Sequence, residues 1–198
     1  MFSARKPAPA TIDSILKLKE SARLTYSPPG LSALSPPGFA VDADRITVGH
    51  GLGAFLAAAE ALRSWKHFPT GWVELHPPAA PVREGSTVLV VARHLGFWSL
   101  NPCRVVHVFE AGGKASRFGF SYGTLEGHAE RGEERFVVEM DATDEAVTYE
   151  VRAVSRPRAL LAWLGYPFSR RLQARFRRES GLTLKAAVAG RGRQPASS

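Results

Sequence analysis

The sequence predicts an α+β fold in which an antiparallel meander sheet wraps around a long C-terminal helix. Three observations carry this. Six strand-like runs follow one another between Trp72 and Val154 with no helical pattern between them. An amphipathic helical pattern precedes them, and an apolar stripe at helical spacing (Leu161, Leu164, Phe168, Leu172 and Phe176) follows them. A sheet with one apolar face must bury that face, and the terminal helix is the available partner.

Taken in order, residues 1–10 predict a disordered start, and a short helix is expected over Thr11–Ala22 with Thr11 as a possible N-cap. Ser27-Pro28-Pro29-Gly30-Leu31 recurs as Ser35-Pro36-Pro37-Gly38-Phe39, a turn-rich connector unfit for helix interior or central strand. Arg45–Val48 reads as a strand and is closed by Gly49-His50-Gly51. Leu52, Phe55, Leu56, Ala59, Leu62 and Trp65 then mark a helix to about Lys66, which Pro69-Thr70-Gly71 stops. The six strands are Trp72–His76, Ser86–Arg93, Pro102–Glu110, Arg117–Leu125, Glu134–Asp141 and Ala146–Val154. Short linkers such as Ala111-Gly112-Gly113-Lys114 favour hairpins between them. The last helix is expected over Pro157–Ser180, kinked or restarted at Pro167. These limits divide the chain into an N-terminal extension (1–23), one domain (24–180) and a mobile tail (181–198).

Composition supports a globular protein with an ordinary core, 44% hydrophobic and 22% charged over 198 residues. A single cysteine, Cys103, excludes an internal disulfide and fits a reducing compartment. No apolar h-region follows the N-terminus and no run nears the roughly 20 apolar residues of a membrane span, so a cytoplasmic protein is expected. The net charge of +8 is concentrated at one end. From Arg156 onward ten Lys or Arg face one acid, whereas the preceding 155 residues carry 16 basic and 17 acidic groups. That asymmetry invites a polyanion, either nucleic acid or an anionic membrane surface.

The element order resembles the helix-grip proteins, the lipid-transfer and pollen-allergen class of ligand carriers. That resemblance implies a cavity between sheet and terminal helix. A second resemblance is more specific. Tyr122-Gly123-Thr124-Leu125, Gly127-His128, Glu130, Gly132-Glu133-Glu134 and Phe136 resemble the domain-of-unknown-function 1990 family of bacteria and plants. So do Tyr149-Glu150-Val151-Arg152-Ala153, Ser155-Arg156-Pro157, Leu24-Thr25-Tyr26 and Pro102-Cys103-Arg104-Val105-Val106. The likeness covers roughly residues 24–178. It implies a fold and transfers no catalytic residue.

Candidate site residues follow from where the strands would face. Phe118, Phe120 and Tyr122 alternate with Gly119, Ser121 and Gly123, giving one aromatic and one bare face. The bare face signals close packing by a neighbour or approach of a ligand. Phe118, Phe120, Tyr122 and Trp98 are expected as cavity walls, with Arg104, Thr124, His128 and Glu134 as polar anchors. Alternation leaves the direction of Arg104 open, because it falls opposite Cys103, Val105 and His107; His107 reads as a core or cavity-wall residue. His128 with Glu130, Glu133 and Glu134 is either an acid–base group or a solvated hairpin loop. Gly49-His50-Gly51-Leu52-Gly53 is either an anion-holding turn or simply a tight strand-to-helix turn. The histidines lack metal-ligand spacing, nucleotide-binding fingerprints are missing, and Cys103 reads as a buried thiol, so no metal and no cofactor are expected.

Three functions remain open on these grounds. The first is a carrier of a small, mostly apolar or amphipathic ligand. The second is an enzyme of the same architecture using His128 with Glu133 or Glu134. The third is docking to nucleic acid or a membrane surface through Arg170, Arg171, Arg175, Arg177 and Arg178.

Overall fold

The computed structural model describes residues 1–113, 115–157 and 166–191. Eight strands form one antiparallel sheet: β1 (Phe2–Ser3), β2 (Ala40–His50), β3 (Val73–His76), β4 (Thr87–His94), β5 (Phe97–Ala111), β6 (Arg117–Thr124), β7 (Glu130–Met140) and β8 (Ala146–Pro157). The α-helices among the described residues are α1 (Pro9–Lys19), α2 (Gly51–Arg63) and α3 (Tyr166–Arg191). Strands β3 to β8 lie side by side in chain order, and β2 adds to the far edge against β8. The meander is tight where the chain can make it so. Leu95 and Gly96, both at positive φ, form the two-residue turn between β4 and β5 that matches the twist of paired strands.

Alternation along the strands gives the sheet a concave inner face that carries the core. Phe118, Phe120, Phe136, Val138, Val147, Tyr149 and Val151 point inward and pack with Phe55, Leu62 and Trp65 and with Phe176, Leu184 and Val188 of α3. A smaller cluster on the outer face joins Ile12 of α1 to Leu89, Val91 and Leu100. The bare face of β6 is filled by neighbours. A Cβ at Gly119 would lie 2.5 Å from the Phe109 ring, and one at Gly123 would lie 2.8 Å from the Tyr26 ring. Close packing therefore accounts for both glycines.

Several expectations need correction. The first residues are not loose: Phe2 and Ser3 pair with Ser99 and Trp98, where β5 extends past the end of β6. His107 is exposed and lies 3.6 Å from Glu84, because a bulge between Val105 and His107 reverses the alternation and sends Val108 inward instead. Gly49 to Gly51 makes a tight turn; a Cβ at Gly49 would meet that of Ala54 at 2.6 Å, and the Gly51 N–H is taken by the Glu145 carbonyl.

The largest correction concerns the C-terminal helix. Gly181 reads as a stop, but α3 continues through it to Arg191, and Leu184 and Val188 are buried. A Cβ at Gly181 would sit 2.9 Å from Ile46, so the glycine sets how closely α3 approaches β2. Leu161 and Leu164 of the expected stripe lie outside the described residues. Leu184→Ala should therefore cost about 2–5 kcal/mol in urea unfolding, as for other buried Leu→Ala changes. An unchanged midpoint would return residues beyond Gly181 to a mobile tail.

Candidate functional site

The inner face of the sheet is covered unevenly. Over one half, α2 and the segment after it form a plug. Trp65, His67 and Phe68 lie against Phe120 and Phe136, with ring centroids 4.8 Å apart for Trp65–Phe120 and for His67–Phe136. His67 is 0% exposed, and neither ring nitrogen has a hydrogen-bond partner. Burial alone pushes its pKa down to about 3, so at neutral pH the plug holds a neutral imidazole.

The other half of the inner face is left open as a cavity of about 970 Å³ under the first turns of α3. Val73, Val90, Ala92 and Phe97 of the sheet face Phe168, Leu172 and Phe176 of the helix across it. The three helical residues are the described part of the predicted stripe. Polar groups enter from β5 (Ser99, Asn101 and Cys103), β6 (Tyr122 and Thr124), β7 (Glu134) and α3 (Gln173). Sequence reading missed Ser99, Asn101 and Gln173. The first two carried a usable signal, since they share the period-two row of Cys103.

Tyr122, Thr124, His128 and Glu134 of the predicted set all line the cavity. The Tyr122 hydroxyl donates to Glu134 Oε2 at 2.5 Å. Burial pushes the Glu134 carboxyl up to about 7, against the pull of the Tyr122 hydrogen bond and the Arg177 charge; Glu130 and Asp42 push the same way as burial. Burial, with Glu134 adding to it, likewise raises the Cys103 thiol and the Tyr122 hydroxyl. Thr124 Oγ1 bonds Thr25 Oγ1 and takes the Gly132 N–H at 3.0 Å. His128 Nδ1 accepts the Glu130 N–H at 2.9 Å, which ties the imidazole to its own turn.

The other predicted wall and anchor residues lie elsewhere. Trp98 and Arg104 fall on the outer face, because Ser99, Asn101 and Cys103 take the inner positions of β5. Trp98 packs with the α1 cluster beneath Lys6. Arg104 caps the end of α1, donating to the carbonyls of Lys19, Glu20 and Ala22 at 2.9–3.0 Å. Phe118 and Phe120 do face inward, yet the plug covers Phe120 and the Arg63 guanidinium lies 3.9 Å above the Phe118 ring.

Glu133 borders the cavity but turns its carboxylate away from it. One residue before Glu134 on β7, it points outward and accepts from Tyr26 Oη, the N–H groups of Gly30, Leu31 and Ser32, and Ser32 Oγ at 2.5–3.3 Å. Burial raises its pKa, but these donors outweigh burial and hold Glu133 below the usual carboxylate value. The arginine row is largely occupied as well. Arg170 pairs with Asp42, Arg177 Nε with Asp44 at 2.6 Å, and Arg175 with Glu179 at 2.7 Å; Arg171 and Arg178 are exposed. Among the described residues, no His, Cys, Asp or Glu cluster is arranged to hold a metal ion.

Glu134 and His67 give opposite pH dependences. The folded Glu134 keeps a proton that the unfolded chain releases above about 4.5. Its contribution is therefore full below that pH and is lost as pH rises through about 7. The unfolded chain protonates His67 below about 6.5, whereas the folded protein resists until about 3. That contribution is present above 6.5 and is lost as pH falls. Urea unfolding from pH 5 to pH 8 should show Glu134→Gln removing the alkaline decline and His67→Phe removing the acid decline. Each slope is at most about 1.4 kcal/mol per pH unit. Parallel profiles in wild type and both variants would rule out these two groups as the source.

Three comparisons place the chain. The family described as Domain of unknown function (DUF1990) matches residues 25–183, close to the span recognised in the sequence. A UPF0548 protein of Dictyostelium discoideum is 34% identical, covering 89% of this chain and 90% of that protein. A UPF0548 protein of Arabidopsis thaliana is 36% identical, covering 84% and 77%. Among solved structures, a protein from Thermus thermophilus superposes with a TM-score of 0.51 at 13% identity, over 77% of this chain and 98% of that one. That likeness speaks for the fold alone. With a curled antiparallel sheet closed over a C-terminal helix, this chain belongs to the DUF1990 family and has the helix-grip fold.

Proposed function

We propose that the protein binds a small amphipathic molecule in the cavity between its sheet and α3. The observation that carries this reading is a cavity of about 970 Å³ with mostly apolar walls and one buried polar pair, Tyr122–Glu134. Ligand sites have this character: a large apolar surface supplies affinity and a few fixed polar groups set orientation. Val90, Ala92, Leu172 and Phe176 would cover the apolar body, and Glu134 with Tyr122 would meet the polar end.

The competing readings have less behind them. An acid–base site built on His128 with Glu133 loses Glu133 to the outer face, where five donors hold it. One built on His128 with Glu134 keeps both on the cavity wall, but His128 Nδ1 already accepts the Glu130 N–H. Polyanion docking through the arginine row would have to break the pairs that Arg170, Arg175 and Arg177 make with acids of this chain. Among the described residues no helix is long and apolar enough to cross a membrane.

Binding of the uncharged fluorophore N-phenyl-1-naphthylamine is the direct test. Wild type should bind it with a rise in fluorescence. Leu172→Trp, which places an indole in the cavity, should weaken binding by at least about tenfold, or 1.4 kcal/mol, at an unchanged melting temperature. Equal affinity in the variant, or no binding by wild type, would overturn the cavity as a ligand site.

A further inference from the structure

The charges on the cavity wall are one-sided. Besides Cys103 and Tyr122, which burial keeps protonated, the ionisable side chains among its described lining residues are Glu130, Glu133, Glu134, His94 and His128, with no lysine or arginine. Glu133 is satisfied on the outer face, which leaves Glu130 and Glu134 as the carboxylates of the inner wall. Of the cations of α3, Arg177 pairs with Asp44, Nε 2.6 Å from Asp44 Oδ2, and its charge only partly offsets the burial of Glu134, whose carboxyl is still pushed up.

The hydrogen-bond inventory points the same way. Gln173 Nε2 donates to Glu130 Oε2 at 2.6 Å. A carboxylate only accepts, so this contact fixes the amide's orientation and makes the other atom its oxygen. That oxygen, Gln173 Oε1, is buried and has no partner, and Gln173 lines the cavity. This part of the wall therefore offers two carboxylates and an unmatched carbonyl. A buried acceptor without a donor is costly, and a buried carboxylate calls for a cation.

Resting on the cavity-binding reading above, we infer that the ligand is an amphipathic amine, its ammonium group held by Glu134, Glu130 and Gln173 and its apolar body lying between β4 and α3. An ammonium group brings three donors and no acceptor, the complement of this inventory. An alcohol brings one donor and no charge. A carboxylate would meet like charges, and its alternative is the lip, where Arg93 and Arg175 line a smaller hollow of about 340 Å³ next to His94 and Leu172.

The test is displacement of N-phenyl-1-naphthylamine at pH 8 by octylamine, 1-octanol and octanoate, which share one chain and differ in the head group. Octylamine should bind at least about tenfold more tightly than either of the others, and Glu134→Gln should erase that preference, read as the ratio of the octylamine and 1-octanol affinities. Should Glu134→Gln fail to fold, Gln173→Leu serves instead and should lower the octylamine to 1-octanol affinity ratio several-fold. Octanol or octanoate binding as tightly as octylamine overturns the amine assignment and leaves the cavity standing. A preference that survives both substitutions also overturns it. If neither the fluorophore nor any of the three compounds binds, the cavity reading itself fails.

Discussion

Adjacent carboxylates on β7 point to opposite sides of the sheet, and much of the molecule is arranged around that division. Strand geometry sends neighbouring side chains to opposite faces, so Glu133 and Glu134 share a backbone and little else. Outside, Glu133 gathers donors from Tyr26 through Ser32 and fixes the Ser-Pro-Pro-Gly connector to the sheet. Inside, Glu134 has one hydroxyl partner and faces the cavity. The same residue type is held charged on one face by five hydrogen bonds and driven toward neutrality on the other by burial.

A concave sheet of this size has more inner surface than one helix covers. Here α2 and the Trp65–Phe68 segment fill one half with aromatic rings, and α3 spans the remainder. The helix is anchored at its far end, where Leu184 and Val188 are buried and Gly181 lets it settle against Ile46. Its first turns, carrying Phe168 and Leu172, then stand over open space. An anchored end and an open end on one helix keep a hollow without loss of the core.

His67 is the least expected member of this arrangement. It occupies an aromatic cluster with both nitrogens unpartnered, where an apolar ring would avoid the cost of a buried polar group. Its neutrality is the physical answer to that setting, since a charged imidazole there would have neither water nor a counter-ion. It lies in the plug rather than among the residues that line the cavity.

Much of this was legible in the sequence because the signals are local. Period-two alternation marked the meander and its apolar face, helical spacing marked α2 and the Phe168–Leu172–Phe176 stripe, and the Tyr122–Phe136 block marked the family. Within the candidate site, Tyr122, Thr124 and Glu134 were found because their strands keep strict alternation. Where a strand slips the local signal misleads, as at the bulge that turns His107 outward. Which part of the apolar face becomes core and which becomes cavity was decided only by tertiary structure. Phe120 and Tyr122 read identically as alternating aromatics, yet one lies under Trp65 and the other faces open space. Periodicity assigns a side chain to a face. What covers that face depends on contacts between residues far apart in the chain, and no local pattern records them.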